Sequence, residues 1–188
     1  MAVNEFTEPT ADQDQLATWN RDIGGNIRQR SSFSAVPAGT DWAVIGCVLA
    51  NTATAGDVES TLVPALEGLA EIISVNGDQV FGQVPAAVPA GYEVVVHVEG
   101  SMSGPMIGFN ASHRMTNQVK PPVNEKIVVF ICQTAAAVSS GNEATLEASV
   151  AGITGVTSAH HLISGTVPAD MSVSEIQVTV HPRIDFIP

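Results

Sequence analysis

Basic residues are scarce in this chain. Of 188 residues only 7 are Lys or Arg, against 19 Asp or Glu, which leaves a formal net charge of -12. Two of the seven are Lys, Lys120 and Lys126. Nucleic acid is held through Lys and Arg on phosphate, so no direct nucleic-acid partner is expected. A bare anionic membrane surface is disfavoured for the same reason. Long apolar runs are missing too. The longest, Trp42 to Ala50 and Ile127 to Cys132, are strand-sized and far short of the ~20 residues a membrane-spanning helix needs. The first residues are acidic and polar where a secretory signal has a basic and then an apolar region, so none is expected. Aromatic residues make up 5% of the chain, and Trp19, Trp42 and Tyr92 are its only Trp or Tyr. Cys47 and Cys132 are the only cysteines, too few for a disulfide scaffold. Each lies inside an apolar run and reads as a buried thiol acting as a small hydrophobe.

Apolar side chains, by contrast, are plentiful. They form 45% of the chain and mean hydropathy is +0.22, so a core can be buried and wholesale disorder is excluded. The length suits one domain or two small ones. An acidic surface almost free of Lys is what a high-salt environment favours, and many ordinary acidic proteins share it.

Residues 1–35 are polar, with few large apolar side chains, and read as an N-terminal arm preceding a domain at 36–188. A short helix fits Asp12 to Asn20, stopped by Gly24-Gly25. Phe6 and Trp19 favour an arm that orders against a neighbouring subunit over a loose solvating tail. From Val36 onward Val, Ile and Thr dominate, in runs separated by Gly, Pro, Asn and Asp. The expected strands are 42–51, 59–66, 70–75, 79–84, 92–99, 127–134, 144–150, 160–166 and 174–181. Asn76-Gly77 between two of them reads as a two-residue hairpin turn. Val58, Leu62, Leu66, Leu69 and Ile73 also fit helical spacing, but Pro64 and Gly68 inside that span favour strands. The tripeptide Val-Pro-Ala recurs at 36, 84, 88 and 167 and reads as turn punctuation before strands.

The chain also repeats itself. WAVIGCVLANTATAG (42–56) aligns with IVVFICQTAAAVSSG (127–141), placing Cys47 on Cys132. ESTLVPAL (59–66) then aligns with EATLEASV (143–150), GQVP (82–85) with GTVP (165–168), and YEVVVHV (92–98) with SEIQVTV (174–180). The offset between aligned positions falls only from 85 to 82. Two such halves supply about eight antiparallel strands, the number in a jelly-roll β-sandwich built from two Greek keys. The intervening Ser101 to Pro122 reads as a long linker capping one end.

Little in the sequence converges on chemistry. The histidines are His97, His113, His160, His161 and His181. His97-x-Glu99 on a strand resembles part of a cupin metal motif, which however needs a His-x-His pair and a further His. Adjacent His160 and His161 point to opposite faces of a strand and cannot share one ion. GSMSG (100–104) puts Met102 where a nucleophile elbow needs Ser. Neither Cys has a basic neighbour to activate it. Asn110-Ala111-Ser112 matches a glycosylation acceptor by pattern alone. No catalytic, cofactor-binding or metal residue is therefore assigned, no cofactor is expected, and an enzyme is not expected.

A compact acidic β-sandwich with an arm resembles the viral capsid proteins of the single jelly-roll type. In length, acidity and scarcity of Lys it is similar to the small major capsid proteins of haloarchaeal icosahedral viruses with an internal membrane. The resemblance covers residues 36–188 as an architecture. It implies a structural virion protein that assembles with itself and with a larger jelly-roll partner, close to a membrane without entering it. The alternatives are a decoration or cement protein of a tailed virus, a carbohydrate-binding or adhesin module, and a cupin enzyme.

Overall fold

The computed structural model describes residues 3–6, 29–83, 92–103, 112–116, 126–170 and 173–186. These residues are mostly β. Nine strands form two sheets: β1 (Val3–Phe6), β2 (Gln29–Val36), β3 (Asp41–Leu49), β4 (Ile72–Gln83), β5 (Tyr92–Ser103), β6 (Ser112–Thr116), β7 (Lys126–Thr134), β8 (Val156–Thr166) and β9 (Val173–Phe186). The five-stranded sheet runs β1-β4-β7-β3-β8 and the four-stranded sheet β2-β9-β5-β6. Every ladder is antiparallel except β1 on β4. The sheets approach each other where β2 meets β4 and β6 meets β8.

Helical turns cover the outer face of the five-stranded sheet. α1 (Ala55–Asp57), a π-helical turn (Val58–Leu62) and α2 (Val63–Glu67) follow β3, and α3 (Glu143–Ala151) follows β7. Ala43, Ile45, Cys47 and Leu49 of β3 and Val128, Phe130 and Cys132 of β7 pack with Val58, Leu62, Leu66, Leu146 and Val150 of these helices. Alternation sends Trp42, Val44 and Val48 the other way, towards the four-stranded sheet, where Phe33, Ile176 and Val178 are buried. The five-stranded sheet is thus the middle layer. That is why β3 reads as an unbroken apolar run: residues 42–49 are all buried, on both faces.

Two expected strands are therefore helices. Residues 144–150 alternate polar and apolar as a strand does. However, Ala144 and Ala148 are exposed, and only Leu146 and Val150, one helical turn apart, face the core. Residues 59–66 take the helical spacing, with Pro64 in the first turn of α2 directly after the π turn. Val63 N–H bonds the Val58 carbonyl across that turn, and the missing Pro N–H falls at a helix start, where none is needed.

The Asn76-Gly77 hairpin is also corrected. Residues 70–75 and 79–84 do not turn back on each other, because both flanks pair with the same neighbour. Asn76 lies opposite Ile131 and Val80 opposite Val129, so β4 is one strand carrying two extra residues in a bulge. Gly77 supplies the positive φ of 68° that the bulge needs. Residues 29–35, read as the end of an arm, form most of β2, with Phe33 buried. The linker read at 101–122 contains the end of β5 and all of β6. The expected helix at 12–20, and Trp19 with it, lies outside the described residues. So do the Val-Pro-Ala copies at 84 and 88, apart from their surroundings in β4 and β5. The copies at 36 and 167 form facing turns before β3 and β9, joined by Gly39 N–H to the Val167 carbonyl at 2.9 Å.

The sequence repeat is visible in the strand order. β2, β3, β4 and β5 correspond to β6, β7, β8 and β9, and each sheet is unchanged when the two sets are exchanged, β1 aside. Ile45 pairs with Phe130, and Val98 with Val180; each pair consists of residues that the repeat aligns. A pseudo-two-fold axis therefore passes through the centre of both sheets. The halves are interleaved, since β4 pairs with β7 and β8 with β3. The drift in offset also has physical locations. The offset falls by one across the π turn, where the connection from β3 to β4 is one residue longer than that from β7 to β8. It falls again at the β4 bulge, which holds one residue more than the bulge at Leu162 of β8.

Candidate functional site

The two ends of the helical layer carry equivalent pockets. The first, about 290 Å³, has Leu49, Val58 and Leu62 as its buried floor and Thr52, Asp57, Thr61 and Thr154 at its exposed rim. The second, about 190 Å³, has Thr134 and Leu146 at its floor and Asn142, Thr145, Ala70 and Glu71 around it. The repeat aligns Leu49 with Thr134, Asp57 with Asn142, Thr61 with Thr145, Leu62 with Leu146 and Thr154 with Ala70. These are one site built twice.

The hydrogen bonds that frame the pockets are duplicated as well. Thr54 donates its N–H to Asp57 Oδ2 at 2.8 Å, and Ser139 donates its N–H to Asn142 Oδ1 at 2.7 Å. Ala50 N–H bonds the Gly155 carbonyl, and Ala135 N–H bonds that of Glu71. In the first site Thr54 and Asp57 make a full capping box, because Asp57 N–H also bonds Thr54 Oγ1 at 3.2 Å. The bonds from the Thr54 hydroxyl and backbone hold the Asp57 carboxyl below its ordinary range, against a small opposing effect of desolvation. The π turn supplies Val58, Thr61 and Leu62 to the first pocket, and π turns recur at functional sites. The rim, three hydroxyls and a carboxylate already accepting two bonds, is suited to hydrogen-bonding a small polar ligand.

Beside the second pocket, carboxylates tie α3 to the sheet. His161 Nδ1 lies 2.8 Å from Glu143 Oε1, and His161 N–H donates to Glu147 Oε1 at 2.7 Å. Ser149 Oγ donates to Glu71 Oε1 at 2.9 Å. His161 thus faces the helices, while Ala159 before it does the same and His160 between them turns to the other face. The ring Nε2 atoms of both histidines are buried without a hydrogen-bond partner among the described residues.

The remaining candidate histidines lie on neighbouring strands of the four-stranded sheet. His97 and Glu99 are on β5, His113 on β6 and His181 on β9, with His97 paired in register to both His181 and Arg114. Met102 is near the end of β5. Asn110 and Ala111 lie outside the described residues. Among the described residues, no three His, Cys, Asp or Glu are grouped as a metal site. Cys47 and Cys132 are free and buried. They are four ladder positions apart, roughly 13 Å and far beyond disulfide reach. Burial pushes the Cys132 thiol up to about 12, although Cys132 Sγ donates weakly to the Ala43 carbonyl at 3.5 Å. Burial raises Cys47 further, reinforced by the charge of Cys132.

Sequence reasoning did not find the paired pockets. Their residues are Thr, Ala and Leu, which carry no motif. The available signal was the loss of one residue from the repeat offset between Asp57 and Glu59. No protein-family model matches the chain, and no curated protein or solved structure matches it either.

Proposed function

We propose that this chain is a structural subunit of a virus capsid, a brick that assembles with copies of itself and with a partner capsid protein into an icosahedral shell of the virion. The observation that carries the reading is the nested strand order. β2 pairs with β9, β3 with β8, β4 with β7, and β5 with β6. These four hairpin pairings are ones that a jelly roll also has, and capsid domains are among the users of that winding. A jelly roll joins them into sheets through β4–β9 and β5–β8, whereas here the β3–β7 and β5–β9 ladders do so. The acidic, Lys-poor composition supports the resemblance to shells of high-salt viruses. A β-sandwich module that binds a small polar ligand is the second reading, favoured by the hydroxyl-rimmed pocket at the π turn.

The test is the size of the particle formed by the purified chain, alone and with the proteins that co-purify with it, by light scattering and electron microscopy. Closed shells or ring-shaped capsomers support the capsid reading. A monomer that binds glycans on an array removes it in favour of the ligand-binding module.

A further inference from the structure

β4 and β8 are equivalent in the repeat, yet their outer edges differ. β4 carries β1 on its outer side, whereas β8 ends the five-stranded sheet, with no described strand beyond it. β1 pairs in parallel with β4, Val3 opposite Gln79 and Phe6 opposite Gly82, starting where the β4 bulge ends. The repeat aligns Gln79–Gly82 with Leu162–Gly165, which start at the β8 bulge. The helix carboxylates before each bulge match as well. Glu67 Oε1 accepts the Val75 N–H at 3.0 Å, and Glu147 Oε1 accepts the His161 N–H at 2.7 Å. Beyond the bulge, Leu162 and Ile163 are buried, Ser164 and Gly165 are half-buried and Thr166 is exposed. β8 contains no Asp, Glu, Lys, Arg or Pro, the residues that keep a sheet edge from pairing. An edge without them is a template for an added strand.

We infer that the outer edge of β8 takes residues 3–6 of a second copy of this chain as a parallel strand along Leu162–Gly165. Residues 3–6 already make this ladder with the equivalent edge, in a register that the repeat carries over to β8. Residues 7–28 join β1 to β2, and a stretch of that length can span up to roughly 70 Å, enough to reach a neighbouring subunit. Each chain holds one such strand and two matching edges. On its own β4 the strand closes one edge of one chain. On a neighbour's β8 it ties two copies, and one ladder is exchanged for its equivalent. Exchange of this kind is a low-cost route to association. Strand and edge are different surfaces, so the contact is heterologous and repeats head to tail, closing into a ring or extending as a row. This inference rests on the assembly reading above and names the tie between subunits.

The experiment uses the full chain, with a synthetic peptide of residues 1–8 as the probe. Amide hydrogen exchange, read by mass spectrometry, locates where the peptide binds. With excess peptide, exchange between Ser164 and Thr166 should slow about tenfold or more as this edge enters a ladder. A peptide carrying Asn4→Pro and Glu5→Pro lacks two backbone donors and should give no slowing. Only the peptide is changed, so the folding of the chain is not in question. The same segment should become protected when the chain alone is concentrated. Excess peptide should then weaken association about tenfold or more in sedimentation and light scattering, by competing for the edge. A peptide that fails to slow exchange along β8, or that does so equally well with the two prolines, overturns the docking. So does association that excess peptide leaves unchanged. These outcomes leave the assembly reading in place. An unaltered chain that stays monomeric at every concentration overturns both.

Discussion

At the residue scale, the tightest constraint is a glycine. Gly165 lies opposite Trp42 in the β3–β8 ladder, and a Cβ on it would meet Trp42 Cζ2 at 2.9 Å. Trp42 is fully buried and cannot swing away. Gly165→Ala should therefore cost about 1–3 kcal/mol of stability, measured by denaturant unfolding; an unchanged midpoint would show that the indole has room to move. The repeat anticipates this contact, because it aligns Gly165 with Gly82, which lies opposite Ile127 as Gly165 lies opposite Trp42. Asp57 offers a test of the opposite kind, in pH. Its carboxyl is held below its ordinary range by bonds from Thr54, so the capping it provides is complete above the unfolded-state value and is lost as pH falls through the folded-state value. Asp57→Asn imitates the second half, where Asn142 accepts the same N–H bond without titrating. The variant's melting temperature should fall less steeply than that of the original chain between about pH 5 and pH 2. Equal slopes would show that the cap does not contribute to acid sensitivity.

At the element scale, what decides between helix and strand here is the π turn and a set of small exposed residues. Pro64 in the interior of a regular α-helix would cost about 3 kcal/mol, so its replacement by Ala would be strongly stabilising. Just after the π turn it sits in a first helical turn, where its missing N–H costs nothing. Pro64→Ala should accordingly change stability by less than about 1 kcal/mol in denaturant unfolding. A gain near 3 kcal/mol would mean that Pro64 breaks a regular helix. The strands β3, β7, β5 and β9 were legible in the sequence because Val and Ile crowd them. The helices were not, for two physical reasons. Glu143 to Val150 alternates polar and apolar, and only packing shows that Ala144 and Ala148 face water. Pro64 argues against a helix until the register shift before it is known. Asn76-Gly77 carried a true backbone signal, a positive φ at Gly77, but sequence does not say whether such a residue turns a hairpin or bulges a strand. The pairing of both flanks with β7 decides that, and pairing is tertiary.

At the scale of the whole molecule, the repeat was the most informative part of the sequence. Aligning Cys47 with Cys132 anticipated that β3 and β7 occupy equivalent places, and they are neighbours about the pseudo-two-fold axis. It did not show that the halves interleave, nor that β1 adds a parallel edge to β4, because neither leaves a mark on the alignment. The same scale sets the dependence on salt. Each copy carries a net charge of -12, and every pair of neighbours in an assembly repels over the range of the Debye length. Raising NaCl from about 0.1 M to about 1 M shortens the Debye length from roughly 10 Å to roughly 3 Å, which removes most of the long-range repulsion and spares apolar contacts. Assembly should therefore strengthen or persist as salt rises. At low salt, contacts between subunits should fail before the sandwich unfolds, because its core of Trp42, Phe130, Ile45 and Leu66 is apolar and fully buried. Light scattering and circular dichroism on one salt series separate these events. Particles that fall apart at high salt and hold at low salt would remove the high-salt shell and leave a decoration protein, bound to another lattice by its charges, as the better account.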